Sequence, residues 1–204
     1  MALVVVGGHS RSVGKTSVVA GLIASLPEMR WTAIKITQYG HGICSADGAP
    51  CDCATDDHSW AITDESDRTG GSDSSRFLVA GAERSLWVRT RQGMLAEAMP
   101  ELRKRIVGNV IMESNSVMKF VRPDVYLTVL DFNTKDFKPS ALEFLDRADA
   151  VLLHEGAETP QWQGVSLKLI EGKPVFRIAP PTYLSAEVVE FVRSRIARRD
   201  TRSA

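Results

Sequence analysis

The chain has little of what would tie it to a membrane, a polyanion or an oxidising compartment. Its opening apolar run, Ala2 to Val6, is far too short to cross a bilayer, and no basic region with a cleavable apolar stretch precedes it. A cytoplasmic location is therefore the expectation, with no membrane partner. Charge of one sign is lacking too: 25 basic and 25 acidic residues cancel. Nothing in that balance argues for a nucleic-acid track or an acidic polymer as partner, and a small ligand is expected instead. Aromatics make up only 7% of the residues, and cysteine occurs three times, always between positions 44 and 53. A disulfide framework spread through the fold is excluded, whereas a local thiol or metal function stays open.

What is present is a regular alternation. Strand-length apolar runs are followed by segments of helical period, which is the pattern of a parallel sheet with helical crossovers, so the fold class is α/β. With 204 residues, 44% of them apolar, one core and one domain are expected. Leu3 to Val6 reads as a buried first strand, Gly14 to Leu26 as the helix after it, and Trp31 to Thr37 as the second strand. From Gly40 to about Gly71 the periodicity lapses into Gly, Asp, Ser, Thr, Cys and Pro, and a loop of that length is usually either functional or partly disordered. Beyond it the pattern predicts a helix over Ser72 to Ala82, a strand over Ser85 to Arg89, a helix over Met94 to Arg105 and a strand over Asn109 to Met112. Strands over Val125 to Leu130 and Ala150 to Leu153 flank a predicted helix, Ser140 to Ala148. A last strand, Pro174 to Ile178, precedes a terminal helix, Ser185 to Arg198.

Between the first strand and its helix stands Gly7-Gly8-His9-Ser10-Arg11-Ser12-Val13-Gly14-Lys15-Thr16-Ser17. A strand, a glycine turn and a helix start in that order form a phosphate loop. Glycines let successive N–H groups turn toward phosphate oxygens, and the helix N-terminus adds its positive end. Gly8, Ser12, Val13, Gly14, Lys15, Thr16 and Ser17 are the expected nucleotide-binding residues, with Lys15 reaching the β and γ phosphates and the Thr16 hydroxyl ligating Mg²⁺. In the common spacing G-x-x-x-x-G-K-[ST] the first glycine would fall on His9. Here Gly8 stands seven residues before Lys15, one more than usual. His9, Ser10 and Arg11 are open to either a ligand role or simple solvation.

The longer spacing with Val13-Gly14-Lys15-Thr16 resembles dethiobiotin synthetase and its relatives in the SIMIBI class of P-loop NTPases. Lys35-Ile36-Thr37, and then Ser72-Asp73-Ser74-Ser75-Arg76 through Ala80-Gly81-Ala82, are similar to a stretch of the molybdopterin-guanine dinucleotide biosynthesis protein B family. The resemblance implies a parallel sheet flanked by helices, a homodimer, and binding or hydrolysis of a nucleoside triphosphate in support of cofactor metabolism. The cysteine-bearing segment departs from that family, as does Glu113-Ser114-Asn115, where relatives tend to carry an acid followed by glycine.

Magnesium held by one hydroxyl and phosphates keeps several waters, and a carboxylate at a neighbouring strand end usually holds one of them. Glu113 closes the apolar run Val110 to Met112 and should emerge at the carboxyl edge of the sheet, as a catalytic candidate beside Lys15. Asp131, at the end of another strand, is its rival. Asp73 and Arg76 either orient substrate or form a surface pair. Asn133-Thr134-Lys135-Asp136 is close to a guanine-reading [NT]-K-x-D signature, but the acid would have to stand at Phe137. ATP is favoured over GTP on that ground, with Pro180-Pro181-Thr182 as a candidate base-contacting loop, and His154 reads as structural.

His41, Cys44, Cys51, Cys53 and His58 crowd soft and imidazole donors into one loop. Three thiolates and a histidine would complete a zinc tetrahedron, and three thiolates alone would suit an iron–sulfur cluster. A mobile loop with incidental thiols is the alternative. Three functions follow: an ATP- or GTP-hydrolysing enzyme of cofactor metabolism acting on an unidentified small molecule, a nucleotide-gated metal or cluster carrier, or a nucleotide-binding adaptor for an oxidoreductase.

Overall fold

The computed structural model describes residues 1–39 and 59–200. Eight strands form one sheet: β1 (Leu3–Gly8), β2 (Thr32–Tyr39), β3 (Trp60–Asp64), β4 (Arg84–Arg91), β5 (Val110–Glu113), β6 (Val125–Leu130), β7 (Ala150–His154) and β8 (Val175–Ile178). Their order is β3-β4-β2-β5-β1-β6-β7-β8. Every pairing is parallel except β3 with β4. The helices are α1 (Lys15–Ser25), α2 (Asp73–Val79), α3 (Leu95–Arg105), the short α4 (Pro139–Leu142) and α5 (Ala186–Asp200). None of the described helices is long and apolar enough to cross a membrane.

A parallel strand buried on both faces must be apolar at every position, and β1 is. Val4 and Val6 point to the face covered by α1 and α5, where they meet Val18, Val19, Leu22, Val188, Val192 and Ile196. Val5 points to the other face, joining Ile34, Leu86, Val88 and Met112 beneath Leu95, Met99 and Leu102 of α3. A third cluster, with Phe132, Leu145, Leu153 and Trp162, lies at the β6–β7 end.

Two expectations are corrected. The stretch over 40–71, read as irregular, includes β3, which runs antiparallel along the edge of β4. Its pattern is weak because it is short and an edge: only Ile62 is buried, while Thr63 and Asp64 face solvent. The predicted helix Ser140 to Ala148 is broken into α4 and a single 3₁₀ turn, Leu145–Arg147. Phe144 joins the cluster beneath α3, whereas Leu145 joins the cluster around Trp162, and the break lets these neighbours serve two cores. The candidate ligands His41, Cys44, Cys51 and Cys53 lie outside the described residues, as does His58.

Candidate functional site

β1 occupies the middle of the sheet, between β5 and β6, and its carboxyl end runs directly into the glycine turn. Two residues of the turn adopt left-handed backbone, Ser12 (φ 53°) and Gly14 (φ 84°), so the chain curls tightly before α1 begins at Lys15. The first helical bond runs from Val18 N–H to the Gly14 carbonyl at 3.0 Å, so the N–H groups of Gly14, Lys15, Thr16 and Ser17 are the ones the helix cannot satisfy internally.

Neighbouring elements hold the turn in place. Asn115 clasps Gly8 through its side-chain amide: Gly8 N–H donates to Oδ1, and Nδ2 donates to the Gly8 carbonyl, both at 2.9 Å. A methyl group on Gly7 would stand 2.3 Å from Asn115 Oδ1 and 2.7 Å from the Tyr126 hydroxyl, so the close approach requires glycine there. On the far side, His154 Nε2 donates to the Val13 carbonyl at 3.0 Å, which agrees with the structural reading of this residue. The Tyr183 ring, edge-on to His154, lies against Gly14. A Cβ on Gly14 would come within 2.3 Å of that ring, on a backbone that already disfavours one. Gly14→Ala should therefore cost at least about 2 kcal/mol, adding left-handed strain to overpacking. Thermal melts of Gly14→Ala with and without Tyr183→Ala check this; equal losses in both would show that the ring is not the obstacle.

His9, where a more common loop has glycine, is fully buried. Its Nε2 accepts from the Asp131 N–H at 3.0 Å, and its Nδ1 therefore carries the proton that goes to the Asp136 carbonyl at 2.8 Å. Phe137 and Trp162 pack on the ring at 5.2 and 4.9 Å between centroids. Burial holds the imidazole below its ordinary pKa, against the pull of the Asp136 bond and of the Asp131 charge. Ser10 Oγ adds a 2.7 Å bond to the Asp136 carboxylate. His9 and Ser10 thus tie the turn to the loop after β6.

The charged side of the site follows from register. Val6, Glu113 and Lys35 stand in one row across β1, β5 and β2, so Glu113 and Lys35 emerge on the same face of the sheet as α1. Thr16 Oγ1 donates to Glu113 Oε2 at 2.8 Å. Lys35 Nζ bridges Glu113 and Asp73, each at 2.5 Å. Burial alone would depress the Lys35 amine, but the two carboxylates outweigh it and raise its pKa. Burial likewise pushes the Asp73 carboxyl up, while Lys35, Thr16 and Arg76 together bring it below its ordinary value. Arg76 reaches Ser17 Oγ at 3.1 Å. Lys15 Nζ donates to the Ser10 carbonyl at 2.6 Å, and burial lowers its pKa to about 8 despite the Glu113 charge.

Of the expected site residues, the fold thus gathers Gly8, Ser12, Val13, Gly14, Lys15, Thr16, Ser17 and Glu113 into one place, with Asp73 and Arg76 from α2 beside them. Asp131 is occupied elsewhere: its carboxylate accepts from Asn133 N–H and Thr134 Oγ1. Sequence reading missed Asn115 as a clasp and Lys138 as a neighbour of the turn. A polar residue two positions past Glu113 was the only signal for the first, and no local signal marks the second.

A strand–turn–helix of this geometry at the centre of a mostly parallel sheet is the P-loop NTPase fold. Among solved structures, the chain is similar to LpxK from Aquifex aeolicus in complex with ATP (16% identity, 87% of this chain and 53% of that one, TM-score 0.47). It is also similar to HypB from Helicobacter pylori in complex with nickel (14% identity, 97% and 88%, TM-score 0.52). A third is the signal recognition particle receptor FtsY from Elizabethkingia anophelis in complex with GDP (14% identity, 96% and 63%, TM-score 0.40). The chain spans about half the length of the first of these. No family model matches the sequence, and no curated protein matches it significantly.

Proposed function

We propose that this chain is a Mg²⁺-dependent nucleoside triphosphatase domain serving cofactor metabolism, with the nucleotide phosphates on Gly8 to Ser17. One observation carries the reading: the hydroxyl of Thr16, the first residue after the expected phosphate lysine, is bonded to a buried strand-end carboxylate, Glu113, that is itself paired with Lys35, the ammonium it shares with Asp73. A hydroxyl and carboxylates are hard oxygen donors, and they fit Mg²⁺ rather than a soft metal. Thr16 would hold the ion directly and Glu113 through water; when bound, the ion would neutralise charge between the β and γ phosphates. Lys15 would bind the phosphates and stabilise the charge of the transferring group. Glu113 would orient the attacking water or acceptor hydroxyl.

ATP is favoured over GTP, because Asp131 to Phe137 lacks the spacing of the guanine-reading signature. A role in support of cofactor metabolism, and a homodimer, are what the resemblance to the dethiobiotin-synthetase-like class adds. Binding and turnover of Mg·ATP and Mg·GTP by the parent and by Lys15→Ala form the test. A Lys15→Ala protein that binds and hydrolyses nucleotide like the parent would remove the reading.

A nucleotide-gated metal or cluster carrier is the second reading, favoured by where the cysteine-bearing stretch is attached. Tyr39 and Ser59, which bracket it, lie at the carboxyl edge of the sheet, their carbonyls accepting from Gln92 and Arg91 at 2.8 Å. That edge also bears the phosphate turn. Elemental analysis and an absorption spectrum of anaerobically purified protein, with Cys51→Ser beside it, separate the two: metal that is substoichiometric and unchanged by the substitution would remove the carrier.

A further inference from the structure

Lys138 ends the loop that His9 and Ser10 hold, and no role proposed above uses it. Its backbone N–H donates to the His9 carbonyl at 2.7 Å, and its own carbonyl accepts from Ala141 at the start of α4. Asp136, two residues earlier, accepts from both His9 Nδ1 and Ser10 Oγ. Phe137, between them, is packed between His9 and Trp162. The backbone at Lys138 is thereby fixed to the phosphate turn itself, through bonds that span more than a hundred residues of chain.

The ammonium group on that stem is placed among like charges. Lys138 is half-buried, and its pKa is lowered by burial and by the nearby Arg11 and Lys35, partly offset by Asp136 and Glu113. Lys15 in turn feels the charge of Lys138. Among the described residues, Lys138 Nζ makes no hydrogen bond and no ion pair. Lys15 and Lys35, by contrast, each have close oxygen partners. Holding an unpaired ammonium beside Lys15, Lys35 and Arg11 works against folding, and an anion bound among them removes the penalty. Lys35 and Glu113 mark the Thr16 side of the site, where the terminal phosphate of a bound triphosphate would lie.

We propose that Lys138 is a second phosphate-binding lysine, which grips the terminal phosphate of a bound triphosphate and so makes the site prefer triphosphate over diphosphate. The inference deepens the nucleotide reading above and rests on the same phosphate cradle. A charge-assisted bond to phosphate is strong enough that its loss should weaken binding roughly 10- to 100-fold.

The test measures dissociation constants of the full chain for Mg·ATP, Mg·ADP and inorganic tripolyphosphate, in parent, Lys138→Ala, Lys138→Arg and Lys135→Ala proteins, with melting temperatures as a check of folding. Lys138→Ala should lose at least about tenfold in affinity for ATP and tripolyphosphate and no more than a few-fold for ADP. Lys138→Arg should recover most of the loss, and Lys135→Ala, altered at an exposed neighbour, should match the parent. Equal losses for ATP and ADP, or none, would overturn the inference. If the parent binds tripolyphosphate in a Lys138-dependent way but neither nucleotide, the nucleotide reading falls and the inference stands. A parent that binds none of the three overturns both.

Discussion

Replacing Lys15 with methionine should abolish nucleotide binding and at the same time make the protein more stable at neutral pH. The amine is buried and titrates near pH 8 rather than at its ordinary 10.5. Below pH 8 the folded protein carries a charged buried amine, and the full cost of that charge is present. Between 8 and 10.5 the folded state sheds the proton while the unfolded chain keeps it, so the parent becomes more stable as pH rises through that window. Methionine has similar length and no charge. It should remove a penalty of about 2–3 kcal/mol, less about 1 kcal/mol for the lost bond to the Ser10 carbonyl. For a domain of this size the net gain is roughly 3–6 °C in melting temperature. Calorimetry at pH 7 and pH 10 checks both parts: the advantage of the variant should shrink at the higher pH. A variant less stable than the parent at pH 7 would show that Lys15 supports the fold. The same titration predicts that nucleotide affinity of the parent falls about tenfold per pH unit above pH 8, because binding must then restore the proton.

Glu113→Gln should separate turnover from folding. The amide keeps the shape and an acceptor for Thr16, and Lys35 keeps Asp73 as its counter-ion. Turnover should nevertheless fall roughly 100-fold or more, since an amide neither accepts a proton nor balances the charge of a metal ion. Stability should fall by about 1–3 kcal/mol, the cost of removing one of two charges around a buried ammonium. Removing the second as well, in Glu113→Gln with Asp73→Asn, leaves Lys35 buried without a counter-ion. The combined loss should then exceed the sum of the single losses. Single-turnover hydrolysis and denaturant melts of the four proteins test this. A Glu113→Gln protein that turns over nucleotide at the parent rate would remove Glu113 from the chemistry, and strict additivity would remove the shared-cation argument.

The parts of this site that were legible in sequence are the ones set by short-range pattern. Leu3 to Val6 could only be a strand buried on both faces, and the glycine turn before Lys15-Thr16 could only be a helix start. Glu113 was legible because an acid closing an apolar strand emerges at the sheet edge whatever the neighbours are. Periodicity failed where one segment served two environments. Phe144 and Leu145 face separate cores, so a continuous helical period was present in the residues but not in the chain path. It failed again at Trp60–Asp64, where an edge strand buries too little to leave a clear alternation.

By itself, then, the sequence determined an α/β chain with a phosphate turn one residue longer than the common form, because each of those features rests on residues within one strand or one helix of each other. Only the tertiary structure decided what holds that turn and what surrounds it. Asn115 reaches Gly8 across 107 positions, His154 reaches Val13 across 141, and Asp131 reaches His9 across 122. Contacts of that separation arise from the order of strands in the sheet, which places β5 and β6 on either side of β1. No local propensity encodes that order, and so Lys138, which no local pattern marks, is tied to the phosphate turn through the His9 carbonyl only once the sheet is assembled.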